Sequence, residues 1–290
     1  MTDHDCLFVD LDGVVYRGPH QVPHAVEALN AFPGRVLYVT NNASRTPEAV
    51  AAQLYGYGLP ARPEDVVTSA QAAAAHLATL VPRGTAVLVT GGEGLVQAVR
   101  DHGLRVVASA DEAQAVVQGY SPALAWKDLA EASYALAREI PWIASNTDMS
   151  VPTARGIAPG NGTLVAAVGA ATGREPIVTG KPHNQIMDLA RERAGAQNPL
   201  VIGDRLDTDI AAANAAGMDS LLVLTGVNQW QDLLRVPVDQ LPTQVAPDLR
   251  VLGGFRDQTT DSLAKLVAGL RDGADVSQVS DELHQLAQAQ

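Results

Sequence analysis

Short runs rich in Val, Leu and Ile alternate with Ala-rich segments of helical period along most of this chain. The apolar runs predict strands at residues 6–10, 36–40, 66–68, 87–90, 115–120, 142–145, 177–179, 200–203 and 220–224. The segments between them predict helices at 47–57, 69–80, 95–101, 126–139, 184–194 and 207–216. Strands that alternate with helices are typical of a parallel sheet, so the sequence predicts an α/β fold.

Charge and composition exclude several classes of protein. The net charge of −12 argues against a nucleic-acid partner, which would require an excess of Lys and Arg. No apolar run approaches the roughly 20 residues that span a bilayer, and the acidic start MTDHDCLF is unlike a signal peptide, so we expect a cytoplasmic protein without a membrane partner. The single cysteine, Cys6, lies in the first apolar run and is interpreted as a small buried side chain.

The distribution of polar residues predicts an inserted domain. Polar residues that follow strands are concentrated in the first 45 residues and again between 180 and 210, whereas the middle of the chain has its own strand–helix units. We therefore predict a core of residues 1–79 and 179–254, an inserted α/β domain of residues 80–178, and a helical appendage of residues 255–290. The appendage is expected to contain amphipathic helices at 262–270 and 276–287, either packed on the core or forming an oligomer contact such as a homodimer.

Four polar segments stand at predicted strand ends. They are Asp10-Leu11-Asp12-Gly13, Thr40-Asn41-Asn42, Gly180-Lys181-Pro182 and Gly203-Asp204-Arg205-Leu206-Asp207-Thr208-Asp209. Ligands of open parallel sheets bind at the carboxyl ends of the strands. We therefore expect the four segments to converge in one crevice.

Their chemistry is suited to phosphoryl transfer. Carboxylates of Asp10, Asp12 and Asp204 are hard oxygen ligands that favour Mg²⁺ bound together with a phosphate. Thr40 and the groups around Asn41 can hold phosphate oxygens, and Lys181 supplies a positive charge to the transition state. One carboxylate can attack phosphorus as a nucleophile, and a second can protonate the leaving alkoxide and then activate water.

These motifs resemble a known family. DLDGV at 10–14, TNN at 40–42, GKP at 180–182 and GDRLDTDI at 203–210 are similar to the motifs of the haloacid dehalogenase (HAD) phosphatases. The resemblance extends over residues 5–252, includes GGEGL at 91–95 and GNGTLVAAV at 160–168, and is greatest to the branch with a large α/β cap. That branch includes p-nitrophenyl, phosphoglycolate, glycerol 3-phosphate and pyridoxal phosphate phosphatases. The resemblance implies a doubly wound, Rossmann-like core with an inserted cap.

The resemblance also implies a role for each motif residue. Asp10 would be the nucleophile and Asp12 the general acid and base. Asp10, the main-chain carbonyl of Asp12, and Asp204 would bind Mg²⁺, with Asp209 as an outer or further ligand. The phosphoryl group would be bound by Thr40, Asn41, Asn42 and Lys181.

Other polar residues have simpler interpretations. His20 and His24 are expected at the surface, because no third metal ligand accompanies them, and Asp207 is expected to be an exposed acid of a first helical turn. Gly91 to Gly94 match no nucleotide-binding loop and indicate a tight turn. His183 either borders the site or begins a helix, and both alternatives stay open.

Two other classes of protein combine acidic and phosphate-binding residues in a similar way. A response-regulator receiver carries its acidic pair and its phosphorylated Asp on different strands and has no inserted domain, so this chain does not fit it. A protein that binds a phosphorylated ligand without turnover stays open as an alternative.

The substrate is expected to depend on the loop Ser145–Pro152, which the resemblance places over the crevice. Pyridoxal phosphate phosphatases have a His before the proline of this loop, where this chain has Val151. Asn146, Thr147, Asp148 and Val151 are therefore the candidate specificity residues. In the family that this chain resembles, members that act on phosphoglycolate or glycerol 3-phosphate tend to have an aliphatic residue there. The resemblance therefore implies a small phosphomonoester, glycerol 3-phosphate first, with phosphoglycolate, pyridoxal phosphate and nucleotide or sugar phosphates as alternatives.

Overall fold

The structure is a computed structural model that describes residues 4–153 and 155–288. The last two residues of the predicted appendage therefore lie outside the described residues. The strands are β1 Cys6–Val9, β2 Tyr16–Arg17, β3 His20–Gln21, β4 Arg35–Thr40, β5 Val66–Thr68, β6 Ala86–Thr90, β7 Arg105–Val107, β8 Ala115–Gln118, β9 Trp142–Ala144, β10 Ser150–Thr153, β11 Gly156–Pro159, β12 Ile177–Val178, β13 Pro199–Gly203, β14 Asp219–Val223 and β15 Gln244–Ala246.

The α-helices begin and end close to many of the predicted positions. They are α1 Ala25–Ala31, α2 Pro47–Gly56, α3 Ser69–Leu80, α4 Glu93–Asp101, α5 Trp126–Leu136, α6 Asn161–Thr172, α7 Gln185–Ala194, α8 Ala211–Ala215, α9 Gln258–Asp272 and α10 Ser277–Gln288. In the part of the chain that the structure describes, none of these helices combines the length and apolar composition that a membrane span requires.

The chain divides into two compact units. The first unit comprises residues 1–39, 55–60 and 190–290, and the second comprises residues 40–54 and 61–189. The predicted boundaries at 80–178 for an inserted domain are not tested by this division and stay a prediction.

The first unit is built on parallel strands in the order β15-β14-β13-β1-β4. Strand β1 lies between β13 and β4, with Val9 opposite Ile202 on one side and Tyr38 on the other. All four residues of β1 are buried, which explains its uninterrupted apolar sequence. The carboxyl ends of β1 and β13 therefore lie side by side, and this places the segments that follow them next to each other.

The C-terminal helices pack on the first unit. Helices α9 and α10 contribute Leu263, Leu266, Val267 and Leu283 to a buried apolar cluster with Leu206, Ile210, Leu222, Trp230, Leu233, Leu241 and Val245. We call this set the C-terminal cluster. Packing of the appendage on the first unit is therefore observed, and an oligomer contact stays a prediction.

The second unit has its own parallel sheet, in the order β12-β9-β8-β6-β7, with helices on both faces. Helices α3 and α4 pack on one face around Leu77, Leu95 and Val117. Helices α5 and α6 pack on the other face around Leu136 and Val168. An antiparallel hairpin, β10–β11, follows β9. The α/β fold with a doubly wound parallel sheet is confirmed.

The predicted helix at 207–216 is wrong in its first half. Residues Leu206–Ile210 form a turn of π-helix, and the α-helix α8 begins only at Ala211. The carbonyl of Arg205 accepts hydrogen bonds from both Asp209 N and Ile210 N, each at 3.1 Å, and this shared acceptor widens the turn. Such π-turns occur often at functional sites. Helices α1 and α6, strands β7 and β15 and both hairpins were not predicted.

Candidate active site

Three carboxylates meet at the carboxyl ends of β1 and β13 in the first unit. Asp10 follows β1 directly, and its N–H donates to the Ile202 carbonyl of β13 at 2.9 Å. Asp204 follows the end of β13, and Asp209 lies in the π-turn after it. One carboxylate oxygen of each residue lies within 4.8 Å of those of the other two. We call these residues the carboxylate cluster.

The carboxylate cluster fits a small divalent cation. Asp204 and Asp209 are each only 1% exposed, and Asp10 is half-buried. Carboxylates this close repel one another in a medium of low dielectric constant unless a positive charge lies among them. Hard oxygen donors are the ligands that Mg²⁺ prefers. The donor set is therefore the kind that Mg²⁺ requires.

Two glycines leave room for the Asp204 carboxylate. A Cβ atom at Gly13 would lie 2.6 Å from Cγ of Asp204, and one at Gly226 would overlap the same side chain. Gly13 has a φ of +90°, and its carbonyl accepts a hydrogen bond of 2.7 Å from Thr225 Oγ1. The sequence DxDG thus places Gly where both the backbone conformation and the neighbouring carboxylate require it.

Asp12 lies two residues after Asp10 and has a different environment. Its side chain is exposed, yet the protein around the carboxyl removes part of its hydration and raises its pKa above the usual range, while Arg17 partly opposes this effect. A carboxyl with a raised pKa keeps its proton to a higher pH than an ordinary one, and a general acid requires a proton to donate. The predicted use of its main-chain carbonyl as a metal ligand stays a prediction.

In the second unit, Thr40 ends β4, and Asn41 and Asn42 begin the turn that follows it. Thr40 Oγ1 accepts a hydrogen bond of 3.1 Å from Asn42 N. The Asn42 side-chain oxygen accepts hydrogen bonds from Ser44 N at 2.9 Å and from Ser44 Oγ at 2.7 Å. The Asn42 oxygen therefore stabilises the turn, and its predicted contact with phosphate stays a prediction.

The side chain of Asn41 holds the backbone of Lys181. Lys181 N donates to Asn41 Oδ1 at 2.8 Å, and Asn41 Nδ2 donates to the Lys181 carbonyl at 3.0 Å. The same Nδ2 donates to the Asp148 carboxylate at 3.2 Å. Lys181 is only 3% exposed, and its peptide bond to Pro182 is cis. Two of the predicted phosphate-binding residues thus lie in one hydrogen-bonded group.

The candidate specificity loop is tied to this group by Asn146. Asn146 is 3% exposed, its Nδ2 donates to the Asn41 carbonyl at 2.7 Å, and its Oδ1 accepts from Asp148 N at 3.1 Å. The carbonyl of Asn146 accepts a hydrogen bond of 2.6 Å from Asn161 Nδ2. Asn161 was not predicted, because its partner lies 15 residues away in another element.

The remaining predicted specificity residues are less constrained. Thr147 is half-buried, and Val151 is half-buried in β10, where it pairs with Ala158. A role of Asn146, Thr147, Asp148 or Val151 in substrate choice stays a prediction. Asn146 and Asp148 each hydrogen-bond to Asn41, and Asn146 also hydrogen-bonds to Asp148 N and Asn161.

Several minor expectations agree with the structure. His20, His24 and Asp207 are exposed. His183 is also exposed and lies two residues before α7, and its two alternatives stay open. Asp207 pairs with Arg205 at 2.7 Å, and this hydrogen bond lowers the pKa of its carboxyl. Burial raises the pKa of the Cys6 thiol to about 11. The predicted tight turn at Gly91 to Gly94 is only a bend before α4, which begins at Glu93. A Cβ at Gly92 would lie 2.8 Å from the Ser44 Cα, so glycine allows a close contact between backbones there.

Comparisons with known proteins place these residues in a family. A family model described as haloacid dehalogenase-like hydrolase matches residues 7–105, and a second HAD-hydrolase-like model matches residues 178–252. The D-glycerol 3-phosphate phosphatase of Mycobacterium tuberculosis is 49% identical over 252 residues, which cover 86% of this chain and 71% of the relative. The chain belongs to the haloacid dehalogenase-like hydrolases.

Solved structures agree with this assignment. A glycerol phosphate phosphatase of M. tuberculosis in complex with magnesium has a TM-score of 0.85 at 47% identity, covering 90% of this chain and 79% of its own. A p-nitrophenyl phosphatase from Archaeoglobus fulgidus has a TM-score of 0.79 at 31% identity, covering 87% of this chain and 100% of its own. The predicted branch of the HAD family is confirmed, and this HAD hydrolase is a phosphatase.

Proposed function

We propose that this HAD phosphatase hydrolyses glycerol 3-phosphate in a reaction that depends on Mg²⁺. The carboxylate cluster of Asp10, Asp204 and Asp209 is the observation that carries the chemistry. The substrate is supported by the name of the M. tuberculosis relative and by the aliphatic Val151 in the candidate specificity loop.

The proposed reaction divides the work between Asp10 and Asp12. A carboxylate oxygen of Asp10 attacks phosphorus, and the bond from phosphorus to the ester oxygen breaks. The Asp12 carboxyl gives its proton to the leaving alkoxide, so glycerol departs as a neutral alcohol. Asp12 then takes a proton from water, whose oxygen attacks the aspartyl-phosphate and releases inorganic phosphate and the Asp10 carboxylate.

The other motif residues are proposed to bind and neutralise the phosphoryl group. Asp10, the Asp12 carbonyl, Asp204 and Asp209 would hold Mg²⁺, which supplies positive charge to the phosphoryl oxygens when bound. Lys181 is proposed to add a fixed positive charge, and Thr40, Asn41 and Asn42 to contribute hydrogen bonds. A cytoplasmic location, the absence of a nucleic-acid partner and a homodimer stay predictions.

Phosphate release across a panel of phosphomonoesters tests this proposal. The panel contains glycerol 3-phosphate, phosphoglycolate, pyridoxal phosphate and a nucleoside monophosphate, each with Mg²⁺ and with a chelator. We expect glycerol 3-phosphate to have the highest kcat/KM and the chelator to abolish turnover. Asp10→Asn should lower kcat by about a thousandfold or more, because the nucleophile is lost.

Asp207→Asn is the matched control, because it removes one carboxylate of the same motif that is exposed and outside the carboxylate cluster. It should keep kcat near that of the parent. Turnover by Asp10→Asn at the parental rate would refute the aspartyl-phosphate mechanism. A higher kcat/KM for pyridoxal phosphate or a nucleotide would refute the substrate, and binding of these esters without release would support the non-catalytic alternative.

A further inference from the structure

The segment that follows β14 holds the main chain and the carboxylate of Asp204. Val227 N donates to Asp204 Oδ2 at 2.7 Å, and Asn228 N donates to the Asp204 carbonyl at 3.1 Å. Gly226 lies so close to the same carboxylate that a side chain there would overlap it. The main-chain carbonyl and the side-chain carboxylate of Asp204 are therefore both oriented by a segment more than 20 residues away in the sequence.

The side chain of Asn228 forms a hydrogen bond with the main chain just after Asp204. Its Oδ1 accepts a hydrogen bond of 2.8 Å from Leu206 N, two residues after Asp204. Its Nδ2 donates to Asp232 Oδ2 at 2.9 Å. The main chain of Asn228 thus contacts the residue before Arg205, and its side chain contacts the residue after Arg205. The side-chain amide of Asn228 is in turn held by its hydrogen bond to Asp232.

Asp232 belongs to a helical turn that is firmly packed. The 3₁₀-helix Trp230–Arg235 places Trp230 and Leu233 in the C-terminal cluster, where they are 6% and 0% exposed. The Trp230 ring meets the His284 ring of α10 edge-on, with 4.7 Å between the ring centroids. The helical turn that carries Asp232, and so orients Asn228, is therefore held in place by packing against α9 and α10.

We propose that Asn228 is a positioning residue that holds Asp204 in the orientation in which it binds Mg²⁺. This inference rests on the proposed function, in which Asp204 is a metal ligand. Groups that hydrogen-bond to a ligand or to its backbone reduce the freedom that the ligand loses on binding, and their removal typically weakens metal affinity ten- to a hundredfold. Asn228 can act in this way without touching the metal or the substrate.

The test is the affinity of the full chain for Mg²⁺ in the absence of substrate, measured by titration calorimetry. Asn228→Ala removes the acceptor for Leu206 N and should raise the Kd for Mg²⁺ by about tenfold. The Mg²⁺ concentration for half-maximal activity should rise by the same factor, whereas kcat at saturating Mg²⁺ should stay close to the parental value. Asn228→Ser keeps a short acceptor at this position and should give an intermediate Kd.

Asn214→Ala is the matched control, because Asn214 is also half-buried in the first unit and donates to main-chain carbonyls of Asp239 at 3.0 Å and Leu241 at 3.4 Å. Its loss should leave the Kd for Mg²⁺ unchanged. Asp204→Asn is the reference and should abolish binding.

The outcomes separate this inference from the proposed function. Parental Mg²⁺ affinity in Asp204→Asn would overturn the proposed metal site itself. Loss of binding in Asp204→Asn together with an unchanged Kd in Asn228→Ala and Asn228→Ser would overturn only the role of Asn228. An equal loss of affinity in Asn214→Ala would also overturn it, since the effect would then be a general loss of packing.

Discussion

At Asn41, a single side-chain amide serves both hydrogen-bonding groups of the Lys181 backbone. The Asn41 side-chain oxygen accepts from Lys181 N, and its nitrogen donates to the Lys181 carbonyl and to the Asp148 carboxylate. An amide is the side chain that can do this, because it carries a donor and an acceptor on one plane. Asn41 is therefore as much a support for Lys181 as a candidate phosphate ligand.

Replacing Asn41 tests this support. Asn41→Ala leaves Lys181 N without its acceptor, and an unsatisfied group that is largely buried costs about 1–3 kcal/mol. We expect urea unfolding to show a loss of about 2 kcal/mol. We also expect kcat/KM for phosphate esters to fall at least about tenfold, because Lys181 loses its fixed position.

Asn30→Ala is the comparison, because Asn30 is exposed and its side chain donates a hydrogen bond of 3.0 Å to the Gly58 carbonyl. It should change stability by about 0.5 kcal/mol or less, as surface substitutions usually do. Stability and kcat/KM in Asn41→Ala that match those of Asn30→Ala would contradict the role given to Asn41.

Among the elements, the ends of β1 and β13 show what the sequence can predict. Their uninterrupted apolar runs and the carboxylates after them indicated parallel neighbours with a polar edge, and Asp10, Asp204 and Asp209 do lie together. Helix α6 was missed, because its sequence GTLVAAVGAA has little polar periodicity and its Gly residues argue against a helix. Asn161 and Asn228 were missed for a different reason. Their partners lie in other elements, and no local pattern marks such a contact.

The C-terminal helices show that the sequence also does not identify the surface against which a whole helix packs. Their amphipathic pattern predicted helices but left the surface that they cover open, because an apolar stripe does not identify its partner. The structure places this stripe on the C-terminal cluster, which includes Leu206 and Ile210 of the motif GDRLDTDI. Helices α9 and α10 therefore stabilise the element that carries Asp209.

Truncation of Leu283 tests the contribution of α10 to this packing. Leu283 is 2% exposed in the C-terminal cluster, and Leu→Ala at a buried site costs about 2–5 kcal/mol. We expect Leu283→Ala to lower the free energy of unfolding by about 2 kcal/mol or more in urea denaturation. Gln285→Ala, at an exposed position of the same helix, should change it by about 0.5 kcal/mol or less. Equal stability of the two variants would show that α10 does not support the first unit.

For the whole molecule, the net charge of −12 makes two effects of a divalent cation hard to tell apart. Any cation screens repulsion among the carboxylates of an acidic protein. A specific site adds stability that depends on its own Kd, because a ligand that binds only the folded state stabilises it by RT ln(1 + [L]/Kd). Binding at a specific site requires one particular carboxylate, whereas screening of the net charge does not.

Thermal unfolding with Mg²⁺ and with EDTA, at matched ionic strength, separates these effects. At a Mg²⁺ concentration of about 100 times Kd, binding should stabilise the folded protein by about 2.7 kcal/mol and raise Tm by several degrees. Asp204→Asn and Asp207→Asn each remove one negative charge, so screening changes equally in both. We expect Asp204→Asn to lose the Mg²⁺-induced rise in Tm and Asp207→Asn to keep it, because only Asp204 belongs to the carboxylate cluster. A rise of the same size in both variants would mean that Mg²⁺ acts on the net charge of the chain and not through this cluster.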